Sequence, residues 1–132
     1  MATIQKIEDL EIWQISREYA KQIKQLTQTE PYKFEFDLVS QMKRASGSIM
    51  DNIAEGFGRG SKNEFINFLT IAKGSAEESK SQLYRSLDYG LITETVFQEL
   101  YQLVQVIIKK TTSFINYLNK SLIKGTKFKD RG

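Results

Sequence analysis

The sequence predicts an all-α fold, an antiparallel up-down-up-down four-helix bundle, on three observations. Apolar residues recur at spacings of three and four through four long segments. The single proline, Pro31, and the glycines at 56, 58, 60 and 90 punctuate the chain between those segments. No segment sustains the period-two alternation with turn chemistry that marks a hairpin, so no sheet is expected. Four long helices with short connections bury their apolar faces by packing side by side in alternating direction.

The first segment runs from Leu10 to Thr27. Ile12, Ile15, Tyr19, Ile23 and Leu26 form its stripe, widened by Trp13 and Ala20, with Asp9 placed to cap its start and Pro31 just past its end. The connection that follows holds Tyr32, Phe34 and Phe36, which read as anchors of the loop into the core. The second segment, Asp37 to Phe57, carries Leu38, Met42, Ala45, Ile49 and Ile53 on one face. Its small run Ala45-Ser46-Gly47-Ser48 admits a close neighbour.

The third segment, Lys62 to Tyr89, has Phe65, Leu69, Ala72, Ala76, Leu83 and Leu87 along its seam, and Gly90 is the natural stop. The fourth runs from Thr93, a candidate N-cap, to Lys124. Val96, Leu100, Leu103, Ile107, Phe114 and Leu118 form one stripe, and Phe97, Tyr101, Val104, Ile108 and Ile115 form a second beside it. A bundle helix needs an apolar face of roughly 100°. The surplus, Phe97, Tyr101, Val104 and Ile108, is therefore expected to bury against another copy in a homo-oligomer.

Between the second and third segments, Gly56, Gly58 and Gly60 alternate with Phe57 and Arg59, and Ser61 with Glu64 forms a capping box for the next helix. The glycines read as a helix-to-helix corner, because glycine accepts positive φ and lets helix ends approach. The corner is neither a Walker phosphate loop, since no Gly-Lys-Ser/Thr occurs, nor a dinucleotide fingerprint, since no strand precedes it. Asn52 and Glu55 share a helix face beside it, and a magnesium or ligand site there competes with a structural clasp. The adopted reading is the clasp, with both residues bonding Arg59 or the first free N–H groups of the next helix.

At 132 residues the chain makes one domain, read as a bundle over residues 1–124 and a basic tail over 125–132. It contains no cysteine and no histidine. Disulfides, thiolate or histidine-dependent catalysis and Cys/His zinc sites are thereby excluded, and no catalytic residue, metal site or cofactor is assigned. The N-terminus lacks a signal-peptide apolar run, and the apolar stretch 103–108, broken by Gln105, is too short to span a membrane. A cytoplasmic location with no membrane partner is expected.

Net charge is +3, from 19 basic and 16 acidic residues. From Lys120 onward five basic residues face one acid, a net of +4, so the rest (14 against 15) carries −1. That asymmetry points to an anionic partner. The candidate nucleic-acid contacts are Lys43, Arg44, Arg59, Lys62 and Lys73, expected around one end of the second and third segments, with Lys120, Lys124, Lys127 and Lys129 from the tail. Such contacts grip phosphates without reading sequence.

Several motifs resemble one family in order and spacing. They are Ile7-Glu8-Asp9-Leu10-Glu11-Ile12-Trp13-Gln14, Leu38 to Ala45, Ser48-Ile49-Met50-Asp51-Asn52-Ile53-Ala54-Glu55-Gly56, Gly58-Arg59-Gly60-Ser61, Glu64-Phe65, Phe68-Leu69 and Ala72 to Glu77. Over about residues 7–120 the chain resembles the four-helix-bundle proteins encoded within intervening sequences of bacterial 23S ribosomal RNA genes, relatives of the accessory proteins of diversity-generating retroelements. The resemblance implies a ring-like homo-oligomer, a pentamer, with no enzymatic activity. It also implies nucleic-acid binding or a reverse-transcriptase-type protein partner. Two features depart from that pattern: Met50 stands where the family has proline after Ser-Ile, and the body carries almost no net charge. The expected function is a non-enzymatic homo-oligomeric scaffold for RNA or a nucleic-acid-processing protein; the alternative is a protein-binding adaptor with no nucleic-acid role.

Overall fold

The computed structural model describes residues 3–121 and 128–129. Four helices carry the fold: α1 (Glu11–Thr27), α2 (Phe36–Gly58), α3 (Lys62–Asp88) and α4 (Glu94–Lys120). Their direction follows from the contacts. Between α2 and α3, the Ser48 and Ser75 hydroxyls bond at 2.9 Å while Arg85 donates to Gln41 at 3.1 Å, so numbering rises along one helix as it falls along the other. Between α3 and α4, Lys80 meets Gln105 at 3.1 Å, and Phe65 meets Phe114 with ring centres 5.5 Å apart. The cycle closes between α4 and α1, where Lys110 pairs with Glu11 at 3.0 Å and Leu26 shares a groove with Val96 and Leu100. The result is an antiparallel four-helix bundle.

Helix ends follow local chemistry. Ser61 caps α3 by accepting from the Glu64 N–H at 3.4 Å, and Thr93 caps α4 by accepting from the Val96 N–H at 3.2 Å. Gly90, at φ +75°, ends α3 in a Schellman motif, with the Gly90 N–H on Leu87 O and the Leu91 N–H on Ser86 O. Asp9 does not cap α1. It lies in a 3-10 turn, Ile7–Asp9, and the N-cap is Leu10, which makes no side-chain cap bond and is 2% exposed. Burying that leucine, rather than capping, sets the entry of α1.

Each helix contributes its expected stripe to one core that includes Ile23, Ile49, Ile53, Phe65, Leu69, Leu83, Ile107 and Leu118. A polar contact lies inside it. Tyr19 is fully buried with its hydroxyl 2.6 Å from that of Ser79, and burial drives its pKa far above the ordinary phenol range despite that bond. Among the described residues the Gln82 Oε1 and Thr111 Oγ1 atoms are buried with no hydrogen-bond partner, a kind of burial that costs about 1–3 kcal/mol per group.

Two outcomes differ from expectation. A two-residue antiparallel ladder pairs Thr3 with Lys129 and Ile4 with Phe128, so the backbone at 128–129 returns to the chain's start. The second stripe of α4 is also not a surface. Phe97, Val104 and Ile108 are 3%, 0% and 8% exposed within the single chain. Tyr101 is half-buried against Phe97 and Tyr84, ring centres 5.5 and 6.1 Å away. A helix in a closed bundle has two neighbours, and a wide apolar face is divided between them. Val96 and Leu100 face α1, whereas Phe97 and Tyr101 face Tyr84 of α3. Phe97, Val104 and Ile108 are therefore taken up by the chain's own core, and of the four residues expected at an oligomer contact only Tyr101 keeps exposed surface.

Candidate nucleic-acid interface at the helix corner

The chain passes from α2 to α3 through residues 59–61, and the three glycines of this segment do different jobs. Gly60 alone has positive φ, +77°. Gly56 lies inside α2 where the helices touch: a Cβ there would fall 2.6 Å from the Phe68 Cβ and 3.1 Å from the Phe65 ring. Gly58 is helical and exposed, with nothing within 4 Å of a Cβ, so it is not the positive-φ position the corner reading assigned to it.

The clasp forms in half. Glu55 pairs with Arg59 at 3.2 Å, both about half exposed, and the Arg59 guanidinium lies 5.1 Å from the centre of the Phe68 ring. Asn52 turns the other way. Its amide donates to Ser48 O at 2.8 Å and to Ser48 Oγ at 2.9 Å, joining the Ser48–Ser75 contact in the α2–α3 seam. Among the described residues no group of three or more carboxylates could hold a metal ion.

The cations divide. The Lys62 ammonium donates to the Ser121 carbonyl at 2.9 Å, which ties the start of α3 to the end of α4. Arg59, Lys62 and Lys120 therefore share one end of the bundle. Lys124 and Lys127 lie outside the described residues; Lys129 is placed through its backbone pairing with Thr3, which precedes α1. Lys43 and Arg44 do not join this end. They are 15 or more residues before Arg59 on one helix, or about 22 Å at 1.5 Å per residue. Lys73, two residues from Ser75, stands at mid-bundle, half-buried. The single patch expected around the ends of α2 and α3 is thus three separate groups, because an antiparallel pair puts the start of α2 at the far end from the corner.

Sequence reasoning missed the Lys62–Ser121 contact, since nothing local signals a side chain capping a helix 59 residues away. It also misread part of the first connection. Tyr32 is the anchor, 2% exposed, but Phe34 and Phe36 are 74% and 72% exposed.

No described helix is long and apolar enough to cross a membrane. A sequence model of the family described as 23S rRNA-intervening sequence protein matches residues 8–113. Among solved structures, the chain is similar to a protein of unknown function from the S23 ribosomal protein family of Bacteroides thetaiotaomicron. Identity is 27%, covering 79% of this chain and 97% of that one, with a TM-score of 0.72. Neither description names a reaction. No curated protein matches.

Proposed function

From the premise that the chain belongs to the 23S rRNA-intervening sequence protein family, we propose that it is a non-enzymatic, homo-oligomeric scaffold that grips RNA at the glycine-corner end. One observation carries this reading: the Lys62 ammonium on the Ser121 carbonyl gathers Arg59, Lys62 and Lys120 where the lysine-rich tail departs. Arg59 is partly neutralised by Glu55, so a single copy binds weakly. Several copies, a pentamer on the family resemblance, would engage one RNA strand together, and avidity would supply the affinity that one copy lacks. The contacts would be to phosphates, with little sequence preference and strong salt dependence.

The test is fluorescence anisotropy on a mixed-sequence single-stranded RNA between roughly 50 and 200 mM salt, where phosphate-dominated binding falls steeply. A triple variant with Lys120, Lys124 and Lys127 replaced by glutamine should weaken binding and flatten the salt slope by about 0.7 per lost phosphate contact. Lys43→Gln with Arg44→Gln should leave binding unchanged. Equal losses from the two sets, or binding indifferent to salt, would overturn the assignment.

A further inference from the structure

Lys43 has no part in the corner interface, and it lines a different feature. At the opposite end of the bundle, the α1–α2 connection and the first turns of α2 border an open groove of about 350 Å³ whose walls include Tyr32, Lys33, Phe36, Val39 and Lys43. The two phenylalanines here are outward by construction. Tyr32 and Leu38, each 2% exposed, anchor the backbone on either side. The turn between them is hydrogen-bonded, with Lys33 N–H on Glu30 O at 3.1 Å and Glu35 N–H on Tyr32 O at 3.0 Å. Phe34 and Phe36 are thus held in water by ordered backbone, an arrangement of the kind that marks interaction sites.

We propose that this groove docks an acidic segment of a partner protein, whose apolar side chain seats against Phe36, Val39 and Tyr32 while its carboxylates meet Lys33 and Lys43. Charge complementarity selects the occupant. The lining holds two lysines and no carboxylate. Lys33 pairs at 2.9 Å with Glu30, but that glutamate is 80% exposed, and such surface pairs are weak enough for a better-placed carboxylate to replace. RNA fits less well. Its backbone would extend past the groove toward Glu30, Glu35 and Asp37, whereas a peptide can offer one or two carboxylates and an apolar anchor within it.

A random-peptide display library panned on the full chain, counter-selected on a Phe36→Ser/Lys43→Glu variant, supplies the probe. A recovered peptide is then synthesised with a fluorophore and measured by anisotropy. The recovered sequences should combine Asp or Glu with Leu, Phe or Trp, and Phe36→Ser or Lys43→Glu alone should weaken binding at least about tenfold, as loss of an interface anchor does. Lys120→Gln, at the other end, should leave it unchanged. Both altered side chains are exposed, so each variant should keep the parent's melting temperature. The proposal fails if no recovered peptide depends on Phe36, or if the recovered sequences are not acidic. It fails equally if mixed-sequence RNA binds in a Phe36-dependent way. A homo-oligomer that Phe36→Ser dissolves would assign the groove to a second copy and also overturn it.

Discussion

Replacing the corner glycines one at a time by alanine should produce opposite signs within five residues. At Gly56 a methyl group would sit 2.6 Å from the Phe68 Cβ, an atom fixed close to the α3 backbone, and 3.3 Å from the Phe65 carbonyl oxygen. Relief requires the two helices to part, and overpacking of this kind costs about 1–3 kcal/mol, with 2.6 Å toward the upper end. Alanine's better helix propensity returns up to about 1 kcal/mol, leaving a net loss near 2 kcal/mol. Gly60→Ala must hold an L side chain at φ +77°, at about 1–2 kcal/mol. Gly58→Ala meets open space at the end of a helix and should gain about 0.5 kcal/mol. Gly47→Ala and Gly74→Ala, in helix interiors with equally open surroundings, should gain up to about 1 kcal/mol each. Urea unfolding at one protein concentration measures the series. With m near 2 kcal/mol/M, Gly56→Ala should lower the midpoint by about 1 M and Gly74→Ala raise it by about 0.5 M. A neutral Gly56→Ala, or a Gly58→Ala as harmful as it, would refute this account of the corner.

Two further outcomes follow from the core. Burial holds the Tyr19 phenol protonated while the unfolded chain ionises near pH 10, so above that pH the native state binds more protons and stability falls as pH rises. The loss for this one group approaches about 1.4 kcal/mol per pH unit, and Tyr19→Phe should lower stability at pH 7 yet flatten the alkaline slope; an unchanged slope in urea midpoints from pH 9 to 11.5 would count against it. Ile108→Asp, which puts an unpaired charge among core residues, should yield unfolded or aggregated protein by circular dichroism; a folded monomer would revive the surface reading of the second stripe.

What was legible in the sequence was whatever depends on local chemistry. Helical periodicity placed all four helices within a few residues, and Ser61, Thr93 and Gly90 act where their side chains or missing Cβ predict. The rest depended on which helices are neighbours. The stripe with Phe97 and Ile108 looked surplus only while α4 was weighed alone, because a helix with two partners has two seams. Lys43 and Arg44 looked close to Arg59 until the antiparallel arrangement set them about 22 Å away. Phe34 and Phe36 share the composition of a loop anchor with Tyr32, and only the hydrogen-bonded path of the turn decides which ring points in. At the candidate site the residue types were readable, whereas their grouping required the contact between Lys62 and Ser121.

The short ladder joining Thr3–Ile4 to Phe128–Lys129 has a practical consequence. It makes the path of the chain nearly a closed loop, so a short peptide bridge could splice the two strands while the helices keep their order in space. New ends could then be opened in the surface turn between α3 and α4, at residues 89–93, remote from the corner glycines. In such a permuted chain the lysines near residue 129 in sequence would lie within the chain rather than toward its end. Their charge would be unchanged while the order of the chain was altered, so comparing RNA binding by the two forms would separate the contribution of charge from that of connectivity.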